Sequence, residues 1–256
     1  MNRSRLGVVA SIAALATGCS AGRYDADYAK AIEKYRGDAP FAVLQAFPVD
    51  FDDARMKVRL PQGFVAIVPG GEAPDPSRLR PRFLENLAGY QGTFERWLTT
   101  DATKLPASVA VWSLPAGDGS RAALEKSLLD KARGDEAFKN AGQSWEDRQV
   151  VPSAGGPAAW RVLSLSGPQV FESIVADNRE YKRWDATCEL WLSADPAAES
   201  RSLLVWRVPV QAAGELAVPP TRLAETVART VATVQPPAAD EAVAEPAKPA
   251  AGAAGF

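Results

Sequence analysis

Histidine is missing from all 256 residues. That absence removes Ser-His and Cys-His catalysis and every imidazole-ligated metal. Cysteine occurs only as Cys19 and Cys188, too few for a four-thiolate zinc site. Long apolar runs are also missing. The stretch Leu6 to Ala16 falls well short of the ~20 residues a spanning helix needs. Charge is nearly balanced, at 29 basic against 31 acidic residues, so no basic face for nucleic acid is expected. There is no Gly-Lys-Ser/Thr phosphate loop and no dinucleotide fingerprint. Carboxylates, lysine or tyrosine can support catalysis without histidine, but no paired-carboxylate motif stands out. The expectation is a non-enzymatic protein with no cofactor and no metal.

What is present is an ordinary globular composition, 46% hydrophobic and 23% charged, which argues against a disordered or fibrous chain. The first twenty residues read as a secretory leader. Arg3 and Arg5 form a positive start, an uncharged apolar run follows, and small residues lead to Cys19.

The stretch Leu15-Ala16-Thr17-Gly18-Cys19 resembles the lipobox of bacterial lipoproteins, with Ala16 where leucine is usual. The resemblance implies residues 1–18 as a signal peptide, cleavage before Cys19, and a diacylglyceryl thioether on its sulfur. Each buried methylene then adds about 0.8 kcal/mol of membrane affinity, and two or three chains hold stably. In many Gram-negative lipoproteins an Asp after the cysteine retains the protein on the inner membrane. Ser20 stands there instead, so the resemblance implies the outer membrane, facing the periplasm. The alternative is plain secretion. Ala16-Thr17-Gly18 also fits a small-x-small cleavage site, and Cys19 would then be free to pair with Cys188.

Residues 19–50 read as a lipidated tether with a short helix at Tyr28 to Arg36. Met56 to Leu60 alternates as a strand, Pro61-Gln62-Gly63 is a turn, and Phe64 to Val68 reads as the returning strand. The segment from Gly70 to Pro81 is loop-like, and Phe83 to Leu98 fits helix or irregular structure equally. Ser108 to Leu114, apolar on both faces, suits an inner strand. Ser120 is placed to cap a helix carrying Leu124, Leu128 and Ala132, with Gly134 as its C-cap glycine. Strands are expected at Gln149 to Pro152, Ala159 to Leu165, Asp185 to Ser193 and Leu203 to Val210. A last helix after Pro219-Pro220 carries Leu223, Val227, Val231 and Val234 on one face. Residues 238–256, mostly Ala, Pro, Glu and Gly, lack the apolar bulk to offset ordering entropy and read as a disordered tail.

Short turns between consecutive strands imply antiparallel pairing. The expected domain, residues 51–237, is therefore α+β, an antiparallel sheet flanked by helices. The order of elements resembles the PsbP-like α+β fold. The likeness is carried by Arg59-Leu60-Pro61-Gln62-Gly63-Phe64, Gly156-Pro157-Ala158 and the final helix. A shared fold would not fix function.

Several residues are candidate sites. Cys188 lies in the apolar set of its strand and reads as a buried, inert thiol. Asp50, Asp52 and Asp53 lack the spacing of a calcium loop and read as a solvated turn. Arg78, Arg80 and Arg82 could face anionic headgroups, but loop arginines more often are solvated or pair with Asp75 and Glu85. Trp191 shares a strand face with Thr187, Glu189 and Ser193, so it either forms an exposed binding surface or lies under the final helix or residues 83–98. Together these features predict an envelope-anchored lipoprotein, with lipidation at Cys19, that binds another envelope protein or supports an assembly. The rival is a module that holds a small molecule or lipid between sheet and helices.

Overall fold

The computed structural model describes residues 39–51, 54–67, 79–101, 103–115, 120–138, 143–153, 156–194 and 200–233. Cys19, the leader, the expected helix at Tyr28 to Arg36 and the 238–256 tail lie outside the described residues. The strands are β1 (Val49–Phe51), β2 (Met56–Val58), β3 (Val65–Ala66), β4 (Tyr90–Thr100), β5 (Thr103–Pro115), β6 (Trp145–Gln149), β7 (Ala159–Val175), β8 (Asn178–Ser193), β9 (Ser200–Pro209) and β10 (Ala232–Thr233). The helices are α1 (Arg121–Gly134), between β5 and β6, and α2 (Pro220–Ala228), between β9 and β10. The fold is α+β and mostly antiparallel sheet, as the pattern of turns implied.

Seven strands form the main sheet in the order β3-β4-β5-β9-β8-β7-β6. β5 and β9 sit at its centre, and their apolar sequences follow from burial on both faces. Past the end of β9, the tip of β7 returns to β5, where Thr103 opposes Val175 and Lys104 opposes Ile174. That pairing curls one end of the sheet over. A second, three-stranded sheet has the order β1-β2-β10.

The main sheet separates two apolar layers. One face carries Val109, Val162, Trp191, Leu204 and Trp206, clustered with Leu223 and Val227 of α2 and with Met56 and Val58 of β2. The other carries Trp112, Leu163, Leu190, Leu203 and Val205, clustered with Leu128 and Ala132 of α1, Leu84 and Phe138. Each large side chain buried here contributes roughly 1.5–3 kcal/mol relative to exposure.

Local chemistry explains the helix limits. The Ser120 hydroxyl accepts from the Ala123 N–H at 3.2 Å, as a capping residue should. Gly134 is not a left-handed cap: it is the last helical residue, and Asp135 ends α1 in an extended conformation. α1 is tied to the sheet through Arg161, which pairs with Glu125 at 3.3 Å and Asp147 at 2.8 Å. α2 starts on Pro220, where no N–H is needed. It stops at Ala228, short of the expected Val234, because Ala232 and Thr233 pair with Lys57 and Met56 on β2. Long-range pairing overrides the helical stripe there.

Three more readings change. The segment after the Pro61-Gln62-Gly63 turn does not return along β2, which is already flanked by β1 and β10. Val65 instead opposes Glu95 on β4, while Phe64 is buried edge-on to Trp206 with centroids 6.1 Å apart. The undecided stretch 83–98 holds a 3-10 turn at Arg82–Leu84 and then most of β4. The packed domain also starts earlier than residue 51, since Phe41 and Leu44 already lie in the core.

Candidate functional site

The tryptophan expected as a binding surface is interior. Trp191 is 0% exposed and meets Trp160 edge-to-face at 6.3 Å. Its indole N–H donates to Glu189 Oε2 at 3.0 Å, and the Thr221 hydroxyl at the start of α2 donates to Glu189 Oε1. The alternation of Asp185 to Ser193 is real, but from Cys188 to Ser193 β8 is covered on both sides, so its polar face there is buried with its apolar one. α2 provides the cover. Trp191 is a core anchor and offers no docking surface.

The other candidates resolve simply. Cys188 is fully buried and unpaired, and burial pushes its thiol up to about 12. It is not a nucleophile at neutral pH. Asp50 pairs with Lys57 at 2.6 Å, while Asp52 and Asp53 lie outside the described residues. No group of three or more Cys, Asp or Glu is arranged to hold a metal among the described residues. Arg78 also lies outside them. Arg80 stacks on Tyr90 at 5.0 Å from the ring centroid, and the chain beside it is fixed by the Thr93 hydroxyl, which donates to the Leu79 carbonyl. Burial raises the Tyr90 pKa, with the Thr93 hydrogen bond and Arg80 opposing it.

Arg80 and Arg82 lead to a site that the motifs did not announce. A cleft of about 910 Å³ opens on the α1 side of the main sheet. Its walls are the Arg80–Glu85 segment, the end of α1 with residues 134–138, and Pro168, Gln169 and Val170 of β7. Arg183 of β8 and Arg207 of β9 complete the lining. Strand register explains its position. Across the sheet, Ala110, Val205, Leu190 and Leu163 form one apolar row, and the row beyond it reads Glu95, Ser108, Arg207, Cys188 and Leu165. The floor therefore turns polar where α1 ends. Gly167 lets the 135–138 segment lie directly on β7: a Cβ there would stand 1.9 Å from the Ala137 carbonyl oxygen.

The cleft is cationic. Arg80, Arg82, Lys131, Arg183 and Arg207 line it, against Glu85, Asp135 and Glu136. Arg207 is only 5% exposed. It donates through Nε to Gln169 Oε1 at 3.2 Å and through Nη2 to the Val170 carbonyl at 3.1 Å, and its guanidinium stacks over Phe171 at 4.7 Å. Burial pulls the Arg207 pKa below the ordinary arginine value, opposed by Cys188 and Asp135. Because arginine has no acceptor, this contact fixes the orientation of the Gln169 amide. Its NH2 group is then left buried without a partner, in a residue that is 6% exposed. An orphan of this kind costs about 1–3 kcal/mol. Trp184 and Trp206 also keep unpartnered indole N–H groups, but neither lines the cleft.

Sequence reasoning passed over Arg207, Gln169 and Arg183. The available signal was an arginine between Trp206 and Val208, at an inward position of a strand otherwise apolar enough to be central.

No family model matches the chain, and no curated relative does. Among solved structures it is similar to the Ran-binding protein Mog1p of Saccharomyces cerevisiae, at 12% identity and a TM-score of 0.34, over 75% of this chain and 96% of that one. A point mutant of Mog1 gives the same figures. An overlap this loose assigns the chain neither a family nor a partner.

Proposed function

We propose that this chain is an exported, lipid-anchored envelope protein whose domain is a non-enzymatic binding module for another envelope protein, working through the cationic cleft. The observation that carries the binding site is the gathering of Arg80, Arg82, Lys131, Arg183 and Arg207 around one cleft in a chain whose net charge is -2. Local fields of this kind steer oppositely charged partners even where net charge opposes them. The anchor rests on the leader and the lipobox-like residues before Cys19. The depth of Cys188 supports lipidation over a Cys19–Cys188 disulfide, since that sulfur is reached only by opening the α1 face.

Two experiments test this. Intact mass of protein extracted from cells should show acylated Cys19, and Cys19→Ser should release the domain from membranes; a bare thiol on freely soluble protein would overturn the anchor. A photo-crosslinker at Val170, 39% exposed beside the cleft, should trap one discrete protein in intact envelopes. The adduct should vanish in an Arg82→Glu/Arg183→Glu double variant. An adduct indifferent to that charge reversal, or none at all, defeats the binding site.

A second reading has its own support. The cleft lies between sheet and helix, and its volume falls in the range of small-molecule sites. That reading predicts a small anionic compound retained in native mass spectra and no protein adduct.

A further inference from the structure

The floor of the cleft holds a buried cation and a buried, unanswered amide donor side by side. Arg207 and Gln169 are hydrogen-bonded to each other, and both are buried. Around them the lining supplies donors and cations in excess of acceptors. What the floor lacks is an acceptor for the Gln169 amide, since Glu85, Asp135 and Glu136 stand elsewhere on the lining.

We propose that Gln169 and Arg207 form the anchor point for a single carboxylate, carried by an acidic segment of the protein partner; this rests on the binding-module reading above. A carboxylate suits the floor better than a phosphate dianion. The anchor pairs one guanidinium with one neutral amide, and Glu85, Asp135 and Glu136 on the lining temper the surrounding field. Gln169 Nε2 is closed to water in this conformation, so the incoming oxygen displaces its cover on binding. Arg82, Lys131 and Arg183 attract the segment, while the floor fixes where its carboxylate rests.

The test uses the folded domain and the side-chain N–H signals of Gln169 and Arg207 in nitrogen-15 correlation spectra. The probe is an acetylated, amidated Glu-Glu-Asp-Glu peptide, with inorganic phosphate as the comparison anion. The peptide should shift both signals saturably, at least tenfold more tightly than phosphate. Gln169→Glu replaces the orphan donor by an acceptor that pairs with Arg207. It should leave thermal stability unchanged or higher while weakening the peptide at least tenfold. Three results overturn the carboxylate anchor: no shift at Gln169, equal response to phosphate, or full affinity in Gln169→Glu. If the Val170 adduct still depends on Arg82 and Arg183 while the Gln169→Glu variant binds normally, the anchor fails and the binding module stands. If no adduct forms, the module reading fails as well.

Discussion

The two faces of the main sheet treat buried polar groups in opposite ways. Under α2, Glu189 is enclosed with its oxygens accepting from Trp191 and Thr221. Its environment is complete, and it fastens a helix to a strand. Under α1, Arg207 and Gln169 sit at similar depth, yet the Gln169 amide has no acceptor and the space beside it is a cleft. A satisfied buried network specifies packing. A donor left open beside a cavity marks where something else is received. The contrast separates Trp191, which looked like a binding anchor, from Arg207, which looked like part of a core strand.

The comparison breaks most visibly at Trp191. Trp191→Ala should destabilise the fold by about 3–5 kcal/mol, read as a drop in the denaturant midpoint at unchanged slope, while peptide binding at the cleft persists in the folded fraction. A loss under about 1 kcal/mol would mean that the α2 face is not core. The α1 face has its own alkaline signature. The reference thiol loses its proton near 9.0 and native Cys188 near about 12. Below the first value both states are protonated and the group is silent. Between the two values the unfolded chain binds fewer protons, so stability falls with rising pH, by on the order of 4 kcal/mol at the upper end. Cys188→Ala should flatten that part of the stability curve; an identical curve would show that the thiol is solvated. The smallest effect sharpens the contrast. Glu189→Ala, which strands the Trp191 and Thr221 donors, should lose roughly 2 kcal/mol. Arg183→Ser on the cleft should stay within about 0.5 kcal/mol and act on binding alone. Equal losses from the two would erase the distinction.

Much of the architecture was legible because it rests on period and punctuation. Ser120 capped its helix and Ser108 to Leu114 became the heart of β5, while the strand expected at Gln149 to Pro152 lies earlier, at Trp145–Gln149, and meets Ala159 only through Gln149. What escaped depended on partners far away in sequence. β10 exists through its pairing with β2, and two residues carry no periodic signal of their own. The tip of the β7–β8 hairpin is charged and mixed in pattern, with Glu172, Arg179, Glu180 and Lys182 close together, and its register comes from the hairpin and from β5. The site escaped for the same reason. Gln169, Arg183 and Arg207 come from three strands, and register alone sets them around one cleft. The alternation at Trp191 located a face correctly, but it could not say that a helix would lie on it.

The pairing of β10 with β2 also governs when the domain can finish assembling. Ala232 must reach Lys57 across 175 positions of chain, so a polypeptide released amino end first keeps the free flank of β2 open until almost all of it has emerged. Contacts this remote are slow to form, and an unpaired edge is a template for neighbouring chains. A version ending at Val231 would retain both apolar layers but carry that open edge permanently. It would be expected to associate with copies of itself, which makes Ala232 and Thr233 a guard against aggregation.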